Sequence, residues 1–237
     1  MTQLARALSV AFALMSAAAG FAADNQLTDQ EKKDGWQLLF DGTSTKGWMS
    51  IKEEPLAASH VQDGALNPHP CNYMLVYEKP LTDFELALDF KISPKCNSGI
   101  FFRTGSLKPK PGYDVGFNGI EIAVDDTTTN GFHDTGALYD LVQPKKNAMK
   151  PAGEWNTLVL TSRNNIVTID VNGERVTEAD FDQFAKPGKR PDGSDHKFSF
   201  IAYKDHPRTG YIGLQDHGSD CWYKNIKLRV LDRPAAK

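Results

Sequence analysis

The chain has 237 residues, with 27 Lys+Arg against 30 Asp+Glu and a formal net charge of −3. So mild an acidic balance supplies no field that would gather nucleic acid or an anionic lipid surface. The length suits one large all-β domain with a substantial core.

In chain order, Arg6, an apolar run from Ala7 to Ala19 and Gly20-Phe21-Ala22 form the pattern of a cleaved signal peptide over 1–22. The run falls short of the about twenty apolar residues of a membrane span, and Asp24-Asn25-Gln26 follows it at once. Removing Arg6 leaves 26 Lys+Arg against 30 acids in residues 23–237, net −4. The expected location is the periplasm or the medium. Export exposes Cys71, Cys96 and Cys221 to oxidation, where one of three is left over. The expected disulfide is Cys71–Cys96, because a hairpin joining Tyr73–Tyr77 to Phe84–Phe90 would bring them together. There is no CxxC, so neither a redox motif nor a thiolate zinc site is indicated.

Gln26–Lys33 can form a brief helical turn capped by Thr28. From Trp36 onward the pattern is short runs of period two, separated by Gly, Pro, Asn and Asp. The clearest are Trp36–Phe40, Tyr73–Tyr77, Phe84–Ile92, Ile100–Arg103, Ile120–Val124, Thr157–Ser162, Ile166–Val171, Tyr211–Leu214 and Trp222–Val230. Asn164-Asn165 and Asn172-Gly173 are turn dipeptides that make Thr157–Val176 a meander. Phe181–Asp195, rich in Pro, Gly and charge, reads as a surface loop. Many strands without intervening helices, and no break in composition, predict a single β-sandwich or jelly roll.

Side chains alternate across a strand, so the apolar residues that claim the core define the opposite face. Ile120, Ile122 and Val124 leave Glu121, Ala123 and Asp125 outward. Ile212 and Leu214 leave Gly213, Gln215 and His217 outward. Ile100 and Phe102 leave Asn97, Phe101 and Arg103 outward. If these strands are neighbours, carboxylate, amide, guanidinium and imidazole share a face with a ring and small residues. That is the composition of a sugar site, whereas a merely solvated face has little use for Phe beside glycine.

The segments Asn97-Ser98-Gly99-Ile100-Phe101-Phe102-Arg103, Gly119-Ile120-Glu121-Ile122, Thr135-Gly136-Ala137-Leu138-Tyr139, Gly153-Glu154-Trp155-Asn156 and Gly213-Leu214-Gln215-Asp216-His217-Gly218 occur in this order. With them the chain, from about Trp36 to Leu231, resembles the 3-keto-disaccharide hydrolase family. The resemblance implies an all-β, concanavalin-like jelly roll and cleavage of glycosides already oxidised to a ketone at C3. Its implied partners are a carbohydrate substrate and an upstream sugar 3-dehydrogenase. The family often has Gln where Ala123 stands and an aliphatic residue where Asp125 stands, its acid falling at Asp126. Either carboxylate is therefore a candidate. The family's late Arg-Asn is here Lys224-Asn225.

Glu121 and Asp125 lie four residues apart, roughly 13 Å along a strand. A retaining glycosidase needs its carboxyls roughly 5 Å apart and an inverting one roughly 6.5–9.5 Å. The implied chemistry asks for less: a C3 ketone acidifies the C2 hydrogen, so one base can abstract it while an electrophile holds the enolate. His133 and His217 are the candidate bases, Arg103 the enolate binder, and Glu121 the group that orients the imidazole or ligates a metal. Phe101, Asn97, Asp125, Asp126, Tyr139 and Gln215 are the substrate-binding candidates. His133 and Tyr139 belong to Gly131–Pro151, a long loop of the kind that builds or covers a site.

No cofactor is required by the sequence. Glu121, Asp125, Asp126, His133 and His217 are ligand types for Mn, Fe or Zn, or in part for a structural calcium ion, but no short-range spacing fixes them together. His60, His69, His196 and His206 read as solvated surface. The competing reading is a non-catalytic sugar-binding module on the same fold, which would tolerate loss of His133 and His217 better than loss of Phe101.

Overall fold

The computed structural model describes residues 23–127 and 131–231; the expected signal segment, 1–22, lies outside them. The helix α1 (Asp29–Lys33) is followed by β1 (Gln37–Leu38), β2 (Trp48–Ser50), β3 (Val61–Gln62), β4 (Ala65–Leu66), β5 (Met74–Tyr77), β6 (Phe84–Ile92) and β7 (Asn97–Thr104). Then come β8 (Ile120–Asp125), β9 (Asn156–Arg163), β10 (Ile166–Val171), β11 (Glu174–Asp180), β12 (Tyr211–Gln215) and β13 (Cys221–Val230). All described pairings are antiparallel. One sheet has the order β11-β10-β9-β6-β13-β4-β3 with β1 on β13, and the other has the order β2-β5-β12-β7-β8. The two form the jelly-roll sandwich that the strand pattern predicts. No described helix is long and apolar enough to cross a membrane.

Alternation builds the core. In β6, Phe84, Leu86, Leu88, Phe90 and Ile92 are buried while the residues between them stay half-exposed. They meet Ile100, Phe102, Ile120, Ile122 and Val124 of the other sheet in one cluster. The second sheet is also covered on its far face, where Met74, Val76, Phe101, Leu107 and Val115 form a smaller apolar cluster. Its strands are therefore buried on both sides.

The N-terminal segment is tied to β13. Thr28 caps α1, its hydroxyl accepting from Glu31 N while the Glu31 carboxylate accepts from Thr28 N at 2.7 Å. Lys227 Nζ donates to Glu31 Oε1 at 2.6 Å. Asn25 and Asn225 exchange hydrogen bonds, and Lys224 Nζ donates to Asp24 Oδ2 at 2.6 Å.

Two expectations need correction. Cys71 and Cys96 are not paired: all three cysteines are free thiols, and the Cys96 thiol is hydrogen-bonded to Cys221 instead. The supposed hairpin does not exist, because β5 and β6 belong to opposite sheets, whereas Cys221 opposes Ile92 at the end of β6. His60, His196 and His206 are buried, not solvated. His60 Nδ1 bonds Asn67 O at 2.8 Å, and His206 stacks on Tyr203 with centroids 5.4 Å apart. Phe181–Asp195 is the surface loop the sequence predicts, largely exposed and anchored by the buried Phe181 and Phe184.

Candidate active site

In β8, Ile120, Ile122 and Val124 enter the core and Glu121 takes the other face. Across to β7, Phe101 opposes Glu121, Gly99 opposes Ala123 and Asn97 opposes Asp125. Across to β12, Gly213 opposes Phe101 and Leu214 opposes Ile100, which brings Gln215 beside Gly99. The alternation argument therefore holds for Asn97, Phe101, Glu121, Asp125 and Gln215. A narrow cleft of about 100 Å³ opens over this row. Glu121, Asn97 and Gln215 form its base, Tyr139, Lys197 and His217 its rim, and Tyr73, Asp114 and Gly116 one wall, with Phe117 and Phe198 completing it.

Glu121 is the electrostatic centre. Burial pushes its carboxyl up to about 8, with Asp114 and Asp125 adding to the rise and the Lys197 ammonium opposing it. Asp114 is itself engaged, accepting from the Tyr73 hydroxyl at 2.6 Å and from Gly116 N at 3.0 Å. Tyr73 also accepts from Gly116 N at 3.1 Å, so the wall is internally satisfied. Gln215 differs: its side-chain oxygen is buried with no hydrogen-bond partner among the described residues, an acceptor awaiting a donor. Lys197 lies over the Tyr139 ring at 4.0 Å, which holds an otherwise mobile cation at the mouth. Tyr139 is held in turn by its N–H bond to Glu121 O at 2.9 Å. A carboxyl raised into this range is a stronger base than an ordinary carboxylate, and a cation beside it can receive developing negative charge.

Of the residues expected at the site, Asn97, Glu121, Tyr139, Gln215 and His217 line the cleft. Phe101 lies beneath it, 1% exposed and tilted against Tyr73, so it supports the floor and offers no face to a sugar ring. Arg103 is elsewhere. One extra residue of β7 separates the pairs Tyr211–Thr104 and Gly213–Phe101, a β-bulge with Arg103 at φ 51°. The bulge ends the alternation, and the buried guanidinium crosses to the opposite sheet, donating to Asn164 O at 2.6 Å. Asp125 caps its own strand end by accepting from Thr127 N, and Asp126 accepts from Lys95 N at 3.2 Å. His133 packs on Tyr139, centroids 4.6 Å apart, outside the lining. The proposed ligands do not assemble: among the described residues no three His, Cys, Asp or Glu side chains are grouped to hold a metal ion.

Sequence reasoning missed Lys197, Tyr73, Asp114, Phe117 and Phe198. All come from loops or strand entrances whose outward groups no period reveals. The alternation Phe198-Ser199-Phe200 after Lys197 was the available signal.

The family profile described as a 3-keto-alpha-glucoside-1,2-lyase-like domain matches residues 35–229. A 3-keto-disaccharide hydrolase of Bacteroides thetaiotaomicron is 26% identical over 232 residues, covering 84% of this chain and 79% of the relative. Two crystal structures from Parabacteroides distasonis, whose proteins carry a glycosyl hydrolase assignment, share the fold. One has a TM-score of 0.71 at 25% identity, covering 89% of this chain and 100% of that one. The other has 0.67 at 26% identity, covering 83% and 99%.

Proposed function

The chain belongs to the 3-keto-alpha-glucoside-1,2-lyase-like family, and from that premise we propose that it cleaves glycosides whose sugar carries a ketone at C3. The observation that carries this reading is the placement of Glu121, a half-buried carboxyl whose pKa desolvation raises, in a cleft that also holds Lys197 and His217. The C3 ketone acidifies the C2 hydrogen, and the Glu121 carboxylate removes it. The electron pair moves onto the C3 oxygen as an enolate, which Lys197 stabilises. The enolate then collapses: a C1–C2 double bond forms, the C1–O bond breaks, and His217 at the rim protonates the departing oxygen. Water adding to C1, with a proton returned to C2, completes a net hydrolysis that consumes one water. The base is thus Glu121, a role the sequence, by the ordinary titration range of imidazole, assigned to His133 or His217, and the enolate binder is Lys197 in place of Arg103.

The substrate implies a preceding dehydrogenase that oxidises the sugar's C3 hydroxyl, and the leader pattern at 1–22 is in keeping with a reaction outside the cytoplasm. The test is to incubate the purified protein with a 3-keto-glucoside and its unoxidised parent in heavy water. Aglycone release and C2 deuterium are expected from the keto sugar alone. Glu121→Gln should lose roughly 10²–10⁴-fold in turnover. Equal cleavage of both sugars would overturn the elimination, and binding without turnover of either would leave a sugar-binding module.

A further inference from the structure

Beside the polar cleft lies a larger cavity of about 420 Å³, and the two share Phe117 and Phe198 as a common wall. The rest of its surface is chiefly Phe200, Ile201, Tyr203 and Pro207. The rings interlock: Phe117 stands 5.3 Å from Phe198 and 6.1 Å from Phe200, and Tyr113 meets Phe200 edge-on at 4.5 Å. Phe200 and Tyr113 are nevertheless 43% and 45% exposed, and Ile201 36%. Large apolar side chains left open around a concavity mark a binding surface.

The polar groups of this cavity are largely committed to the protein. The Asn118 amide donates to Ser106 O and Lys108 O at 2.9 and 2.8 Å. His206 Nδ1 is bonded to Pro207 O at 3.0 Å, and Lys110 Nζ lies over the Phe200 ring at 4.2 Å. A second sugar ring presents hydroxyls on every side, and each would need a partner that these walls do not offer. A flat apolar ring needs none.

We propose that this cavity is the leaving-group subsite and that it takes an aromatic aglycone in preference to a second sugar. The inference rests on the reading of the adjoining cleft as the 3-keto-sugar site. The cleft, about 100 Å³, is too narrow for more than one ring, and the cavity adjoins it across the shared Phe117 and Phe198, next to where the rest of a glycoside would have to lie. The chemistry agrees: a phenol, with a pKa of about 10, leaves more readily in the elimination than a sugar alkoxide.

The experiment compares methyl 3-keto-glucoside, phenyl 3-keto-glucoside and a 3-keto-disaccharide, each rate divided by its uncatalysed rate to remove intrinsic leaving-group reactivity. The corrected kcat/KM should favour the phenyl glycoside over the disaccharide by about tenfold or more. Phe200→Ala should narrow the phenyl-to-methyl ratio about tenfold, chiefly through KM. A disaccharide preferred after correction, or a phenyl-to-methyl ratio unmoved by Phe200→Ala, overturns the subsite while methyl turnover upholds the cleft. Failure to turn over even the methyl glycoside overturns both.

Discussion

Glu121 folds its carboxyl over Gly99 so closely that a β-carbon at Gly99 would lie 2.6 Å from Glu121 Oε1. No real β-carbon tolerates that contact, so the glycine is the space the carboxyl occupies. Gly99→Ala is expected to leave the sandwich folded and displace the carboxyl by about an ångström. A misplacement of that size costs on the order of 10²-fold in kcat/KM. Turnover of a 3-keto-glucoside, with circular dichroism as the control on folding, checks this; unchanged turnover would remove Glu121 from the chemistry.

The raised carboxyl predicts how stability depends on pH. Below the ordinary value of 4.5 it is neutral in both folded and unfolded chains. Between 4.5 and about 8 the unfolded chain has lost the proton that the folded one keeps, so stability falls as pH rises and levels off above about 8. Glu121→Gln cannot ionise, so its Tm advantage over the native protein should grow across that window. Thermal melts at pH 4, 6 and 8.5 measure it; a difference flat in pH would contradict the burial described for this carboxyl.

Activity should follow the same group with the opposite slope, since the base is the ionised form. The rising limb of kcat/KM is expected near pH 8, and Lys197→Met, which removes the cation favouring ionisation, should move it to higher pH. A limb that stays in place in the variant would show that Glu121 is not the titrating base.

Arg103 gives the converse test. The residue is 1% exposed, and its guanidinium donates to Asn164 O. Arg103→Ala should cost about 2–3 kcal/mol in denaturant unfolding through lost packing. The kcat/KM of the folded variant should change less than twofold, about 0.4 kcal/mol. A large activity loss at full stability would restore the enolate-binding role.

The thiols make a further prediction. Cys96 and Cys221 are adjacent, while Cys71 lies against Asp216, its thiol pushed up to about 12 by burial and that carboxylate. Oxidative refolding should yield a Cys96–Cys221 bond and a free Cys71. Peptide mapping without reduction reads the outcome, and a Cys71-containing crosslink would contradict it.

How much of this was legible depends on what the backbone does locally. β6 and β10 fall on the residues the alternation marks, and the outward row Asn97, Phe101, Glu121 and Gln215 follows from parity alone. Parity fails at Arg103 because the bulge there uses a non-glycine residue at positive φ, which leaves no mark in the sequence. β2, β3 and β4 are too short to show a period, and β11 is too polar. Lys197 reaches Glu121 from a loop seventy-six positions away, a proximity only the packed sandwich creates.

The ties of Asp24 and Asn25 to Lys224 and Asn225 have a practical consequence. They hold the start of the described fold against β13, in the sheet that does not carry the cleft. A surface or fusion partner attached ahead of Ala23 would therefore grip the molecule from behind. Immobilised in that orientation, the protein would present both the polar cleft and the aromatic cavity to the solution.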